Sequence, residues 1–331
     1  MGAYMTTRTL SVVVPCYNEE GGLLQMYDRV RKVCYDCVGD NYELVFVNDG
    51  SRDNTWELMR DLAASDTHVV AINLSRNFGH QIALTAGLQM ARGERVLIID
   101  ADLQDPPELL PQMMAQMDQG PDVVFGVRRR REGETAFKKA TAHLFYRLLS
   151  RLAETEIPED TGDFRLMSRR AVDILNAMPE HHRFVRGMVS WMGLRQEPLY
   201  YERAPRFAGE SHYPLSKMVR FALDAITGFS VRPLRIASYL GIGSSLLTIL
   251  LLIYVLIDYV TGHPVKGWTS LAVIVLTLGS VQLLVVGIVG EYLGRLYMES
   301  KGRPLFVIQE VATQATPSEQ SLSCYPREGV Q

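Results

Sequence analysis

Two apolar stretches near the C-terminus constrain the fold of this chain more than any other feature. Residues 236–257 carry no charged side chain, and neither do residues 269–289, after which apolar character continues past Gly290 to Leu293. Crossing the hydrocarbon core of a bilayer takes roughly 20 helical residues. In that medium every backbone N–H and C=O must be satisfied within its own segment, so each run is expected to be a helix. The sequence therefore predicts a transmembrane hairpin at 235–295, with spans at about 236–257 and 269–293. Basic residues stand before the first span (Lys217, Arg220, Arg232, Arg235) and after the second (Arg295, Lys301, Arg303), while the connection carries only Lys266 and His263. Positive charge collects on the cytoplasmic side, so both termini are expected there. Gly287, Gly290 and Gly294 allow close helix packing, within the hairpin or between protomers of a dimer or tetramer. Just upstream, Met218, Phe221, Ala222, Ala225, Ile226 and Phe229 alternate with Lys217, Arg220 and Asp224. That pattern reads as an amphipathic helix lying on membrane lipid, within a region 213–234.

The remainder of the 331 residues is long enough for a full-sized α/β domain. Strand-like apolar runs are expected at 10–14, 43–47, 69–73, 95–99 and 122–127, with helices near 20–37, 54–65, 79–92 and 107–118 between them. This alternation predicts an α/β fold with a mostly parallel sheet and helices on both faces, occupying residues 1–212. Runs such as Val12-Val-Val and Leu97-Ile-Ile lack polar alternation, as strands covered on both faces do. A further helix is expected near 135–153, and residues 296–331 form a cytoplasmic C-terminal segment with a polar end. Net charge is −3, which gives no basis for a nucleic-acid partner. The four cysteines make no disulfide framework in a chain this long, and Cys34-x-x-Cys37 lacks the second pair of a zinc site.

Chemistry gathers where the strands end. The fourth strand runs into Asp100-Ala-Asp-Leu-Gln-Asp-Pro-Pro107. In extended chain, side chains two apart point the same way, so Asp100, Asp102 and Gln104 are expected to converge on one point. Two carboxylates and an amide oxygen are hard ligands, suited to a hard divalent cation. Asp105 with Pro107 and Glu108 reads as a helix start with Asp105 as its cap. Strand one ends in Pro15-Cys-Tyr-Asn-Glu-Glu20 and strand two in Val47-Asn-Asp-Gly-Ser-Arg-Asp53. In a parallel sheet these ends meet at one edge, where open α/β sheets hold ligands. Asp49 offers an acceptor for the ring N–H of a uracil or guanine, and Tyr17 offers a face for stacking. No Gly-x-Gly-x-x-Gly follows strand one and no Gly-Lys-Ser/Thr loop occurs, which argues against a dinucleotide cofactor and a P-loop. A diphosphate would then need a metal ion and basic side chains, among them Arg128.

Taken in order, Pro15-x-Tyr-Asn-Glu, Val47-Asn-Asp-Gly-Ser, Asp100-Ala-Asp-Leu-Gln, Gly126-Val-Arg128, Gly162-Asp-Phe-Arg165 and Arg206-Phe-Ala-Gly-Glu-Ser211 resemble the motif series of family-2 glycosyltransferases. The resemblance spans roughly residues 8–310 and is strongest to the polyprenyl-phosphate branch, which includes dolichyl-phosphate mannose synthase and bacterial bactoprenol glucosyltransferases. It implies a GT-A fold that binds a nucleotide-diphospho-sugar donor with Mg²⁺ or Mn²⁺, a polyprenyl phosphate acceptor, and residence in a bacterial inner membrane. By the same resemblance, Pro15, Tyr17, Glu19, Asp49 and Asp100 hold the nucleotide, and Asp100, Asp102 and Gln104 organise the metal and diphosphate. Arg128 lies near the phosphates, and Arg203, Arg206, Ser211 and Lys217 belong to a basic loop over donor and acceptor phosphate. Asp163 stands beside sugar and acceptor, with Asp102 as its catalytic companion; the alternative for Asp163 alone is a cap on the helix after Arg169. His212 replaces the Lys that relatives often carry, and the Gln-x-x-Arg-Trp motif of processive relatives is missing, its nearest likeness at 186–191 having the wrong spacing. Transfer of a single sugar follows, with glucose from UDP-glucose the leading reading. GDP-mannose, an aminosugar donor, or a non-catalytic nucleotide-sugar-binding membrane protein are the alternatives. His80, in Arg76-Asn-Phe-Gly-His80, is expected at a helix start and has no assigned role.

Overall fold

The computed structural model describes residues 8–128, 161–202, 232–261 and 267–314. The helices expected near 135–153 and 216–231 lie outside these residues. Strands β1 (Leu10–Cys16), β2 (Tyr42–Asn48), β3 (Val69–Leu74) and β4 (Arg95–Ile98) alternate with helices α1 (Leu23–Val38), α2 (Thr55–Ser65) and α3 (His80–Met90). A single 3₁₀ turn at Pro107–Leu109 leads into α4 (Leu110–Met117), followed by β5 (Val123–Arg128), β6 (Thr161–Ser168), α5 (Arg169–Ala177), α6 (Val185–Trp191) and β7 (Gln196–Tyr201). Two long helices, α7 (Arg232–Val260) and α8 (Trp268–Ser300), precede a final strand β8 (Ile308–Ala312).

Among the described residues, the eight strands form one sheet in the order β7-β5-β6-β4-β1-β2-β3-β8. Its centre, β3-β2-β1-β4, is parallel. β6 runs antiparallel between β4 and β5, and β8 runs antiparallel along β3. The period of two along each strand divides the core into two layers. Val12, Val14, Leu44, Phe46, Leu97 and Ile99 face the layer of α1, α2 and α4, whereas Val13, Val45, Val47, Val96 and Ile98 face that of α3, α5 and α6. Burial on both faces explains the apolar runs Val12–Val14, Leu44–Val47 and Val69–Ile72 within β1, β2 and β3.

The edge strand β8 went unpredicted. It alternates between part-buried Ile308, Val311 and Ala312 and exposed Gln309 and Glu310, and it pairs with a strand more than 230 positions earlier. The sheet therefore draws its last strand from the C-terminal segment. Helix α7 has 29 residues and α8 has 33. At about 1.5 Å per residue each exceeds a hydrocarbon core of about 30 Å. Both contain windows long and apolar enough to cross a membrane, Leu234–Leu251 and Thr277–Ser300, almost none of which is buried inside the protein. Leu246, Val260, Leu283 and Val286 are among the exposed side chains, so these are not the core helices of a globular domain.

Candidate active site

The ends of β1, β2 and β4 enclose a cleft of about 280 Å³ lined by Pro15, Tyr17, Glu19, Asp49, Asp100 and Asp102, together with Asn77, Gly79 and His80. Two loops build its rim by reciprocal bonding. The Asn18 N–H donates to Ser51 Oγ at 3.0 Å, and Arg52 N–H returns a bond to Asn18 Oδ1 at 2.9 Å. The Glu20 N–H donates to Asp53 Oδ2 at 3.3 Å, and Asn54 N–H donates to Glu20 Oε2 at 3.1 Å. Asn18 sits at φ 56°, a left-handed conformation that asparagine tolerates. Tyr17 is left 43% exposed at this rim, open for stacking.

Asp49 is buried and binds the chain that follows β3. Its Oδ1 accepts the Phe78 N–H at 2.7 Å and its Oδ2 accepts the Gly79 N–H at 2.9 Å. Burial raises its carboxyl pKa, against which the two N–H donors act. Gly50, at φ +64°, must be glycine-like, since a Cβ there would fall 2.5 Å from the Asn77 nitrogen.

The acidic stretch after β4 is not extended as expected. β4 ends at Ile98, a turn begins at Ala101, and Leu103 takes φ 59°. Within that turn the Gln104 N–H donates to Asp102 Oδ1 at 3.1 Å. Asp100 and Asp102 both line the cleft; Gln104 is buried and outside the lining, its Oε1 without a hydrogen-bond partner. Asp105 does not cap the following turn, which is preceded by Pro106; its carboxylate instead accepts the Tyr201 hydroxyl.

Asp163, on β6, is 3% exposed, and its oxygens are held by three side chains from α3 and α6. The Gln81 side-chain amide donates to Oδ2 at 2.8 Å, His80 Nε2 lies 3.2 Å from the same oxygen, and Arg186 Nε donates to Oδ1 at 2.9 Å. Burial alone would push this carboxyl up, but the His80 bond with Arg186 and the buried Arg165 holds it far below the usual carboxylate range. It does not cap the helix after Arg169, because Ser168 Oγ takes that place by accepting the Ala171 N–H at 3.2 Å.

His80 opens α3 as expected, and its Nε2 is also 3.4 Å from Asp100 Oδ1. The ligand atoms of His80, Asp100 and Asp163 lie within 4.8 Å of one another. Asp100 Oδ1 is buried without a hydrogen-bond partner, and burial pushes this carboxyl up to about 6, with His80 opposing and Asp163 adding to the rise. A buried carboxylate oxygen with no hydrogen bond, set among other acids, fits a divalent cation, whose charge would offset theirs. His80, Gln81 and Arg186 were not picked out from sequence as site residues; the signal for His80 was its place directly after Gly79, whose φ of +99° brings the start of α3 to the cleft edge. Arg128 ends β5 opposite Tyr201, while Arg203, Arg206, Ser211 and Lys217 lie outside the described residues.

A mostly parallel sheet with an acidic cleft at its strand ends and a His–Asp–Asp cluster beside it is the arrangement in which open α/β folds hold ligands. Residues 11–175 match the model of Glycosyl transferase family 2. An uncharacterised glycosyltransferase of Bacillus subtilis is 48% identical over 303 residues, covering 91% of this chain and 93% of the relative. A bactoprenol glucosyl transferase of Shigella phage SfV is 41% identical over 301 residues, covering 91% and 98%. Among solved structures, a mannosyltransferase of Pyrobaculum calidifontis in complex with GDP-Man and Mn²⁺ aligns over 87% of this chain and 88% of that one, at 17% identity and a TM-score of 0.42. The chain belongs to glycosyl transferase family 2.

Proposed function

We propose that this enzyme transfers a single glucose from UDP-glucose to a polyprenyl phosphate at the cytoplasmic face of a bacterial inner membrane, inverting the anomeric carbon. The observation that carries this reading is the attachment of two exposed apolar helices to the same sheet whose edge holds the acidic cleft. A soluble sugar acceptor would not need them, whereas a lipid-borne phosphate must be met at the bilayer surface. The phage relative's name, bactoprenol glucosyl transferase, agrees with a bactoprenol acceptor and a glucosyl donor.

The nucleophile in this reaction is a phosphate oxygen, largely ionised near neutrality because the second phosphate pKa is about 6. No strong base is required, and a carboxylate held ionised by three donors is a poor one. Asp163 therefore positions the acceptor or stabilises positive charge developing on the sugar. Asp100 and Asp102, with the adjoining His80, would hold the divalent cation, Mg²⁺ or Mn²⁺, and Gln104, outside the cleft lining, would not. When bound, the cation neutralises charge on the leaving diphosphate. Asp49, Tyr17, Pro15 and Glu19 supply the nucleoside end of the cleft, and Arg128, Arg203, Arg206, Ser211 and Lys217 the phosphate-binding side.

A donor screen tests this. Each nucleotide-sugar is incubated with undecaprenyl phosphate and Mg²⁺ or Mn²⁺, and products are scored by mass. UDP-glucose is expected to yield a polyprenyl-phosphate hexose. Product from GDP-mannose or an aminosugar donor alone would change the donor and keep the chemistry. Release of no nucleotide with any donor would leave a non-catalytic nucleotide-sugar-binding membrane protein. Asp102→Asn is expected to abolish metal-dependent turnover with folding intact, and near-normal activity would overturn the metal assignment.

A further inference from the structure

The end of α8 is tied to the catalytic sheet at two places. The His181 N–H donates to Glu299 Oε1 at 2.8 Å, and His181 Nδ1 lies 2.8 Å from Glu299 Oε2. On the other side of the ring, Nε2 lies 2.6 Å from the Arg303 carbonyl oxygen. A carboxylate and a carbonyl only accept, so both ring nitrogens must donate and the contact is charge-assisted. Further on, the Ser75 N–H donates to the Val307 carbonyl at 2.9 Å, and β8 joins β3. Phe306, Ile308 and Val311 pack against the core layer of α3 and α5.

His181 lies just before α6, and α6 leads to the site. Four residues on, the Val185 N–H donates to Gln81 Oε1 at 3.0 Å, and the same Gln81 holds Asp163 at 2.8 Å. The next residue, Arg186, holds the other oxygen of Asp163 at 2.9 Å. Between them Arg183 is buried and donates to the carbonyls of Leu175 and Met178 at 2.6 and 2.8 Å, which braces the connection from α5 to α6. The short backbone stretch from His181 to Arg186 thus connects the contact at the end of α8 to the groups that hold the Asp163 carboxylate.

We propose that His181 and Glu299 are positioning residues that fix the cleft relative to the helix hairpin, so that a membrane-borne phosphate acceptor meets Asp163 in one orientation. This rests on the reading of α7 and α8 as a membrane hairpin serving a lipid acceptor. Neither residue lines the cleft, so neither touches donor or metal directly. Their contribution is orientation, and it counts only when the acceptor is itself held by the bilayer.

The test uses the full chain in lipid nanodiscs, with Glu299→Gln and His181→Ala as variants. Two acceptors are compared, a long polyprenyl phosphate embedded in the disc and a short-chain, water-soluble one. With the embedded acceptor kcat/KM is expected to fall about tenfold, and with the soluble one by less than about twofold. Amide exchange at 181–186 and 299–312 is expected to accelerate in both variants, and the double variant to be no worse than either single one. Equal losses with the two acceptors, or no loss with either, would overturn the proposal. If the wild type turns over neither acceptor, the functional reading has failed separately. Exchange then still decides the contact, since unchanged protection in Glu299→Gln, the milder substitution, would show that it fixes nothing.

Discussion

Gln81 joins three elements through one amide: it stands second in α3, gives its NH₂ to Asp163 on β6 and takes the Val185 N–H that begins α6. Gln81→Leu keeps the volume and removes both bonds. A buried donor left unsatisfied costs about 1–3 kcal/mol, here shared between stability and the alignment of Asp163. Turnover is expected to fall roughly tenfold to a hundredfold with donor KM little changed, as steady-state kinetics with varied donor would show. A loss confined to KM would mean that Gln81 serves donor binding instead. The acids of the cleft were legible because strand ends of a parallel sheet share one edge, which locates Asp49, Asp100 and Asp102 without knowledge of contacts. The groups that tune them were not, because Asp163 lies 82 positions from Gln81 and 23 from Arg186, and no local pattern encodes such a meeting. The extended geometry assumed for 100–104 failed at Leu103, a residue type that gives no warning of positive φ.

At the level of elements, strands β1 to β4 could be read directly because burial on both faces gives each a run of consecutive apolar residues, and β8 could not because its partner is distant and its outer face is solvated. How tightly the layers meet is set by single small residues. Helix α3 lies so close to the sheet that a Cβ on Gly87 would fall 2.3 Å from Val13 Cγ1 and 3.0 Å from Val47 Cγ2. Both valines are β-branched and stiff, so Gly87→Ala is expected to destabilise by about 1–3 kcal/mol, seen as a lower Tm. A second contact gives the fold a pH dependence. Asp66, after α2, accepts the Tyr27 hydroxyl from α1 at 2.8 Å and the His68 N–H at 2.9 Å, with His68 Nδ1 at 2.8 Å. Burial raises its pKa, but these donors outweigh it and hold the group below its ordinary value of 3.8. A carboxyl depressed on folding contributes stability that is present above the unfolded pKa and is lost as pH falls through the folded one. Asp66→Asn is therefore expected to cost about 1–3 kcal/mol at neutral pH. That difference from wild type should shrink below about pH 3.8 in denaturant titrations, and a difference that stays constant in acid would show that the charge of Asp66 contributes nothing.

For the whole molecule, the sheet itself limits how the two long helices can be arranged. β3 precedes α7 in the chain, β8 follows α8, and the two strands are hydrogen-bonded neighbours. A hairpin that crosses a membrane twice, or not at all, keeps β8 on the side of the sheet it joins. One crossing would separate β8 from β3 and strip the Ser75 and Leu74 region of its partners, leaving an open sheet edge. Exposure of Leu246, Val260, Leu283 and Val286 favours two crossings over none, since water would meet an apolar surface far larger than soluble proteins carry. From the clustered basic residues at both outer ends of the hairpin we predict, by the positive-inside bias, that those ends face the cytoplasm. The prediction can be checked with single cysteines at His263, in the connection between α7 and α8, and at exposed Glu310 on β8, in a chain lacking Cys37 and Cys324. In sealed right-side-out vesicles a membrane-impermeant thiol reagent is expected to label position 263 and spare 310; inverted vesicles should reverse the pattern. Labelling of both positions from one side would rule out the double crossing, and with it the placement of the cleft at a bilayer surface by a membrane-spanning hairpin.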